Sequence, residues 1–501
     1  MMSQKKGKGQ KDGMSRRDFA KSSVAAGAAA VTLPKGLRAE ATPGNSVTAS
    51  ETTYGRTYRP PAPPETGGYG GLAAGEAPAP RAPAKTRPSY PNGWKEGSTI
   101  PAEYYVDEQH YVADERFLAD NSWLYVDHES RVPEPGDYFV FEMGRSESVI
   151  IVRGTDSRIR AFHNVCRHRG SRLCRHDADS IPGDPRLSVK QLGQTGNSPV
   201  FRCPYHAWTY DIDGNLIYAY GMQDDFDPAD NGLVPCHVRT AEGSIFVNLS
   251  QQDEPPDFES AVSRLRIMGR YYGHAGLKIA ARESHPIHAN WKLVLENFHE
   301  CYHCGPTHKG LTTTHNYNYD ATPEQLAARN AAVGEWLTPA GRVRPEGREL
   351  EPRLTGNLNP GFVTGSGDGK SVAPLLPTIE QPTHGTNEAY TGHYTGYWQS
   401  YDDYVVAIRF TPRDVALTDA EIIWLVHPDA VEGRDYDLAM LKAFWTVILQ
   451  EDIWVIGNNH RGILSDAYRS GPYSTHENST AEFIKWYMGE VVTTGRGPDT
   501  A

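Results

Sequence analysis

Cysteine is scarce. The 501 residues hold six, Cys166, Cys174, Cys203, Cys236, Cys301 and Cys304, which is too sparse for a disulfide-stapled scaffold. Long apolar runs are lacking as well: no stretch of about 18 apolar residues occurs, so nothing reads as a membrane-spanning helix. Positive charge is in deficit. The formal net charge is −12 and no basic stripe follows the first residues, which argues against a nucleic-acid footprint. What remains is an ordinary globular composition, 38% hydrophobic and 22% charged, in a chain long enough for about two to four domains.

Residues 1–41 read as a targeting segment rather than as part of a fold. Lys5, Lys6, Lys8 and Lys11 give a basic start, and Ser15-Arg16-Arg17-Asp18-Phe19-Ala20-Lys21 follows. Val24 to Leu33 is weakly apolar, and Ala39-Glu40-Ala41 offers small residues for cleavage. This order resembles a twin-arginine export signal, which suits a protein that folds before export. The expected location is therefore the periplasm, or the cytoplasm if the signal is not used. Residues 42–99 carry Pro60-Pro61-Ala62-Pro63-Pro64 and Ala77-Pro78-Ala79-Pro80; such a stretch cannot bury a core and reads as a flexible linker, with order beginning near Ile100.

Beyond the linker the periodicity changes several times. Tyr105, Val112, Phe117 and Leu118 are spaced for short helical turns. Asp137 to Phe141, Val149 to Val152, Phe201, Trp208 to Tyr210 and Ser244 to Asn248 are strand-like, with Asp213-Gly214 as a hairpin turn. Phe258 to Tyr272 and Trp291 to Cys304 read as helices, residues 320–385 as Gly/Pro-rich loop, and Tyr404 to Thr411 with Glu421 to Val426 as paired strands. Tyr436 to Asn459 reads as a long helix with Leu438, Leu441, Phe444, Trp445, Ile448, Leu449 and Ile456 on one broad face.

Four cysteines lie close to histidines, which points to metal chemistry. Cys166-Arg167-His168-Arg169-Gly170 and Cys203-Pro204-Tyr205-His206 supply one Cys and one His from each of two loops. That set could hold a tetrahedral zinc, or a [2Fe–2S] cluster with thiolates on one iron and imidazoles on the other. The stretch from Trp123 to Leu216 resembles the Rieske domain of ring-hydroxylating and quaternary-ammonium oxygenases. It departs from that pattern in a longer gap between His168 and Cys203, where Ala178 to Ser198 reads as an inserted loop away from the ligands. Cytochrome-type Rieske proteins often carry a second disulfide between the loops. Cys174 could be one end, but the second loop offers no partner, which favours the oxygenase branch.

A second constellation runs from Glu296 to His308. Glu300 and His303 share a face if the segment is helical, Gly305-Pro306 would end the helix, and the returning chain can bring His308 beside His303. Two histidines with one carboxylate form the facial triad of non-haem Fe(II) oxygenases, which leaves positions open for dioxygen. The third donor must come from elsewhere: Asp452 is the first choice and its neighbour Glu451 the alternative, in a segment resembling the family's aspartate-donating helix. Cys301 and Cys304 are expected as free, packed thiols beside the iron rather than as a disulfide.

The resemblance implies an α+β architecture, with an all-β Rieske [2Fe–2S] domain over 100–252 and a helix-grip domain with antiparallel sheet over 253–495. It implies a [2Fe–2S] cluster on Cys166, His168, Cys203 and His206, and a mononuclear Fe(II) on His303, His308 and Asp452. It implies electrons from NAD(P)H through a reductase or ferredoxin, and a head-to-tail homotrimer. In that assembly Glu300 links His303 to His206 of the next chain. Glu300 in its Glu-Cys-Tyr-His-Cys context is most similar to the carnitine, glycine betaine and proline betaine oxygenases. The expected activity is hydroxylation or N-demethylation of a small quaternary ammonium compound, with Tyr390, Tyr394, Tyr397 and Trp398 as an aromatic cage. Alternatives are an exported Rieske electron carrier, an aromatic ring-hydroxylating dioxygenase subunit, and a non-catalytic binding protein on the same fold.

Overall fold

A computed structural model describes residues 90, 93–175, 191–315, 358–359, 361–382, 385–391 and 395–494. The expected export segment, most of the linker, residues 176–190 of the expected inserted loop and Tyr394 lie outside the described residues. Packing begins slightly before Ile100, at the buried Trp94. The entering chain is stitched to a late segment, with Thr99 N donating to Gly471 O (2.9 Å) and Tyr473 N to Gly97 O (2.9 Å).

Helices α1 (Glu103–Val106) and α2 (Glu108–Asn121) open the fold, and the Asp107 carboxylate caps α2 by accepting from Gln109 N (2.7 Å). The β-branched and aromatic runs that follow become β1 (Leu124–His128), β2 (Asp137–Met143), β3 (Glu147–Arg153) and β4 (Ile159–His163). After them come β5 (Thr195–Asn197), β6 (Val200–Arg202), β7 (Thr209–Asp211), β8 (Leu216–Tyr218), β9 (Pro235–Ala241) and β10 (Ser244–Asn248). They build an antiparallel seven-stranded sheet, β1-β10-β9-β4-β3-β2-β5, and a small three-stranded sheet, β6-β7-β8. The tail of the expected inserted loop is in fact edge strand β5, paired with β2 through Tyr138↔Gly196.

Helix α3 (Phe258–Tyr272) matches its expected span. Asp257 caps its start and Gly273, at φ +67°, supplies the left-handed turn at its end. Strand β11 (Lys278–Ile287) leads into the second half, whose sheet has the order β11-β15-β14-β13-β12. Its other strands are β12 (Asn387–Thr391), β13 (Gly396–Ser400), β14 (Val405–Asp414) and β15 (Leu417–Val426). The sheet is covered on both faces, so successive residues are buried along most of β14 and the second half of β15. Val405, Ala407, Ile423 and Leu425 pack with Val262, Leu265 and Met268 of α3. Val406, Ile408, Phe410, Ile422 and Trp424 pack with Leu441, Trp445, Ile448 and Leu449 of the long helix α7 (Leu438–Ile463). Helix α8 (Asn478–Trp486), continued by helical turns to Thr494, joins the same core through Phe483 and Ile484.

The helix starting at Trp291 is shorter than expected. Helix α4 spans Trp291–Phe298, and the chain then leaves helical geometry. The Glu300 carboxylate accepts from the amides of Tyr302 and His303, so a side chain takes the place of the helical carbonyls. Gly305-Pro306 does not end a helix; both residues lie in the first turn of α5 (Cys304–Thr307), where proline's missing N–H costs nothing. Helix α6 (Lys309–Thr314) follows.

The two halves are tied by buried charge. Asp127 of β1 pairs with Arg131 (2.5 Å) and with Arg282 of β11 (2.6 Å); Arg282 also meets Glu421 of β15, which pairs with Arg409 of β14 (3.0 Å). Arg131, Arg282 and Arg409 outweigh the burial of the fully enclosed Asp127 and hold its carboxyl below the usual value. No helix among the described residues is long and apolar enough to cross a membrane.

Candidate metal centres

The first constellation sits on two matching loops. Gly170 N donates to Cys166 O (2.9 Å) and Ala207 N to Cys203 O (3.1 Å). The residue closing each turn is left-handed, Gly170 at φ +77° and Ala207 at φ +61°. A side chain with a Cβ rarely accepts that conformation, and Ala207 does so only because the surrounding loop over-determines it. Asn164 locks the first loop from beneath. Its amide donates to Ser148 Oγ (3.0 Å) and Cys174 O (2.7 Å), and its carbonyl accepts from Leu173 N (3.0 Å) and Cys174 N (2.9 Å).

This scaffold brings all four expected residues together. Cys166 and Cys203 are buried and unbridged, and each lies within the other's hydrogen-bonding range. Burial raises the Cys166 thiol. His168 and His206 are exposed, with ring centroids 4.6 Å apart, and His168 stacks on Trp208 at 4.9 Å. Desolvation, then the neighbouring His168 and Arg169, lowers the His206 ring, which favours the neutral form a metal needs. Thiols facing inward and imidazoles facing outward fit a cluster with sulfur and nitrogen on opposite irons. The Tyr210 hydroxyl, 3.4 Å from Cys166 Sγ and accepting from Arg167 N (3.0 Å), was not anticipated from spacing. Cys174 is a buried free thiol with no bridge to the second loop.

The second constellation is assembled from the turn after α4, the α5–α6 junction and α7. His303 Nε2 and His308 Nε2 are 3.2 Å apart, and Asp452 Oδ1 lies 3.2 Å from the first and 3.0 Å from the second. Asp452 is not a solvated helix acid. It falls on the apolar stripe of α7, between Leu449 and Ile456, and is 3% exposed. A charge there must be compensated. Burial works against ionisation, but hydrogen bonding to His303 and His308 lowers the carboxyl below its usual value. In the same way burial disfavours charge on His303, yet Asp452 and Glu300 raise it to about 9. A point that stabilises a shared proton so well stabilises a cation, so the donor set fits a metal with two imidazoles and one carboxylate.

The far side of each imidazole is also held. His303 Nδ1 meets Glu300 Oε1 at 2.5 Å, and His308 Nδ1 meets Glu451 Oε2 at 2.8 Å. Between the two acids offered by the sequence, Asp452 faces the shared point and Glu451 lies behind His308. The proximity of Glu300 to His303 comes from the tight turn, not from a helix face.

Cys301 and Cys304 are not the free thiols expected from the sequence. The turn brings their Cα atoms to 4.9 Å and they are bonded as a disulfide. Cys304 also forms a possible donor group with His303 and His308. Its sulfur is 4.0 Å from His303 Nε2 and, once bridged, carries no thiolate, so Asp452 is the better third donor. The expected aromatic cage is divided by strand alternation. Tyr390 and Tyr397 pair at 5.1 Å on the α7 side of the sheet, whereas Trp398 packs with Tyr125 at 4.6 Å on the α3 side. The Tyr390 hydroxyl donates to Phe298 O, tying β12 to the end of α4.

Comparison with known proteins places the chain among relatives. Residues 122–227 match the family model for the Rieske [2Fe-2S] domain, and residues 275–491 match that for the ring hydroxylating alpha subunit (catalytic domain). The glycine betaine monooxygenase oxygenase subunit of Pseudomonas aeruginosa is 33% identical over 406 residues, covering 79% of this chain and 89% of that protein. The carnitine monooxygenase oxygenase subunit of Escherichia coli K12 is 35% identical over 225 residues, covering 44% of this chain and 54% of that protein. The solved quaternary ammonium Rieske monooxygenase CntA in complex with L-carnitine is 21% identical, covers 79% of this chain and 96% of that one, and superposes with a TM-score of 0.55, a likeness of fold. Both family models match in chain order and a relative is spanned over most of its length, so this chain belongs to the Rieske non-haem iron oxygenases of the ring-hydroxylating alpha-subunit family.

Proposed function

We propose that this oxygenase hydroxylates or N-demethylates a small quaternary ammonium compound, using O2 and electrons from NAD(P)H delivered by a separate reductase or ferredoxin. The observation that carries the reading is the convergence of His303, His308 and Asp452 in a chain that also carries a Cys/His loop pair and is 33% identical to a glycine betaine monooxygenase oxygenase subunit. A pure electron carrier would have no use for the catalytic-domain match over 275–491.

In this reading Cys166, Cys203, His168 and His206 hold a [2Fe–2S] cluster, and His303, His308 and Asp452 hold Fe(II). The bound groups supply one-electron transfer and dioxygen activation. The chain's own residues do the rest. Exposed His168 and His206 offer nitrogen atoms to a neighbour, while the buried thiols keep water from the sulfurs. Glu300 holds His303 through Nδ1 and, in a head-to-tail trimer, would also meet His206 of the next copy. Tyr390 and Tyr397 present ring faces to a methylated ammonium. One oxygen atom enters a C–H bond beside nitrogen, and the other leaves as water with a pair of electrons and a pair of protons. We further propose export by the twin-arginine route after metal loading, a signal covering residues 1–41, and domain limits of 100–252 and 253–495.

The test is NADH consumption by protein purified without oxygen and then supplied with O2 and a Rieske-type reductase. Glycine betaine or carnitine should stimulate it and release formaldehyde or a hydroxylated product; benzoate should not. The opposite preference would replace the ammonium substrate by an aromatic acid. Iron and acid-labile sulfide should come to about three and about two per chain; about two irons, unchanged by added Fe(II), would restore the electron carrier.

A further inference from the structure

We infer that Glu451 is the positioning residue for His308: it fixes the ring from behind so that Nε2 faces the point shared with His303 and Asp452. The inference rests on the iron reading above. Glu451 Oε2 lies 2.8 Å from His308 Nδ1, while His308 Nε2 lies 3.0 Å from Asp452 Oδ1 and 3.2 Å from His303 Nε2. An ionised carboxylate can only accept, so Nδ1 must carry the hydrogen, and Nε2 is left with its lone pair on the metal side. The His308 ring is 1% exposed, so no bulk water is at hand to replace Glu451 at Nδ1.

Helix geometry explains why Glu451 cannot be a ligand together with Asp452. Adjacent helical residues point about 100° apart, so two side chains of one turn reach opposite edges of the same ring rather than one point. Asp452 takes the Nε2 edge and Glu451 the Nδ1 edge. The two histidines are therefore backed differently. His303 is backed by Glu300 from its own turn, three residues away, where the same carboxylate accepts from the amides of Tyr302 and His303. His308 is backed from α7, a 26-residue helix pinned by Leu441, Trp445, Ile448 and Leu449. One turn of one helix thus supplies a donor and orients another. Glu451 itself is 35% exposed, and its removal opens no core cavity.

The experiment is equilibrium dialysis of oxygen-free, cluster-loaded protein against ferrous iron, with thermal unfolding of the iron-depleted protein in parallel. Glu451→Ala should weaken ferrous binding about 10–100-fold. Glu451→Gln, whose amide oxygen still accepts from Nδ1–H, should lose less. Cluster absorption and the iron-depleted unfolding midpoint should stay at wild-type values in both. Unchanged ferrous affinity in Glu451→Ala overturns the inference. So does complete loss of binding at saturating iron, which would make Glu451 a ligand, and so does a matching fall in the unfolding midpoint, which would make its role structural. Wild-type protein that binds no ferrous iron beyond its cluster would overturn the iron reading, and this inference with it.

Discussion

The cluster loops and the iron centre both hold two imidazoles at fixed angles, but in opposite surroundings. At the loops, His168 and His206 are exposed and are held by stacking and by turns beneath them. At the iron centre, His308 and Asp452 are 1% and 3% exposed, and carboxylates hold each histidine. In the proposed reading electrons would enter and leave the first site through contact with another molecule, which requires exposed edges. The second must exclude water while concentrating charge, which requires burial with every polar atom answered. The positions in sequence follow from this. Exposed turns can be built at strand ends, here after β4 and between β6 and β7, whereas a dry site needs a distant helix to close it.

The sharpest way to break the comparison is to remove one ligand from each side. Asp452→Ala should abolish product formation and ferrous binding while leaving the cluster's visible spectrum intact. Cys203→Ser should do the reverse, abolishing the spectrum and the electron supply while ferrous binding persists. Loss of both metals in either variant would show that the two centres are not independently built. A smaller effect separates the carboxylates. Glu300→Gln should keep both metals but slow oxidation of the reduced cluster in the presence of substrate by about 10–100-fold, since in the proposed head-to-tail trimer Glu300 would join His303 to His206 of the next copy. Wild-type oxidation kinetics would remove Glu300 from the path.

The joint between the halves gives a smaller, measurable effect on stability. Asp127→Ala would leave Arg131 and Arg282 without their common partner, at a cost of about 3 kcal/mol. Because the folded Asp127 carboxyl titrates below its unfolded value of about 3.9, its contribution is complete above that pH and is lost as pH falls through the folded value. Denaturant melts from pH 7 to pH 2 should therefore show a gap between wild type and variant that is level down to about pH 4 and narrows below it. A gap independent of pH would assign the loss to packing.

These regions also differ in how far they could be read from sequence. The cluster residues, α3 over Phe258–Tyr272 and the β14–β15 pair were legible because short-range spacing and two-residue alternation carry them. Asp452 was legible only as an acid on the apolar stripe of a long helix, and the choice between it and Glu451 needed the ring edges of His308. The Trp291 helix was read too long because nothing in propensity shows that the Glu300 carboxylate would capture the amides of Tyr302 and His303. Trp398 was grouped with Tyr390 and Tyr397 by proximity in sequence, although alternation sends it to the other face of the sheet. Strand β11, which completes the sheet at its edge, was not read at all.

The Cys301–Cys304 bridge should have the smallest effect, and it tests which atom is the third donor. Its loop is so short that the entropy removed from the unfolded chain is worth about 2 kcal/mol or less. The turn it spans is also held by Cys304 N donating to Cys301 O (3.1 Å) and by the Glu300 carboxylate. The double variant Cys301→Ser/Cys304→Ser should therefore unfold at a slightly lower temperature and keep its ferrous affinity, because Asp452 Oδ1, His303 Nε2 and His308 Nε2 are untouched. If Cys304 instead served as a donor, the double variant would lose ferrous iron as Asp452→Ala does, and wild-type protein would bind iron more tightly after reduction by a dithiol. Ferrous binding measured on wild type with and without that reductant, beside the double variant, separates the two: equal affinities in all three keep the disulfide as a staple on the turn and leave the metal to the two histidines and the aspartate.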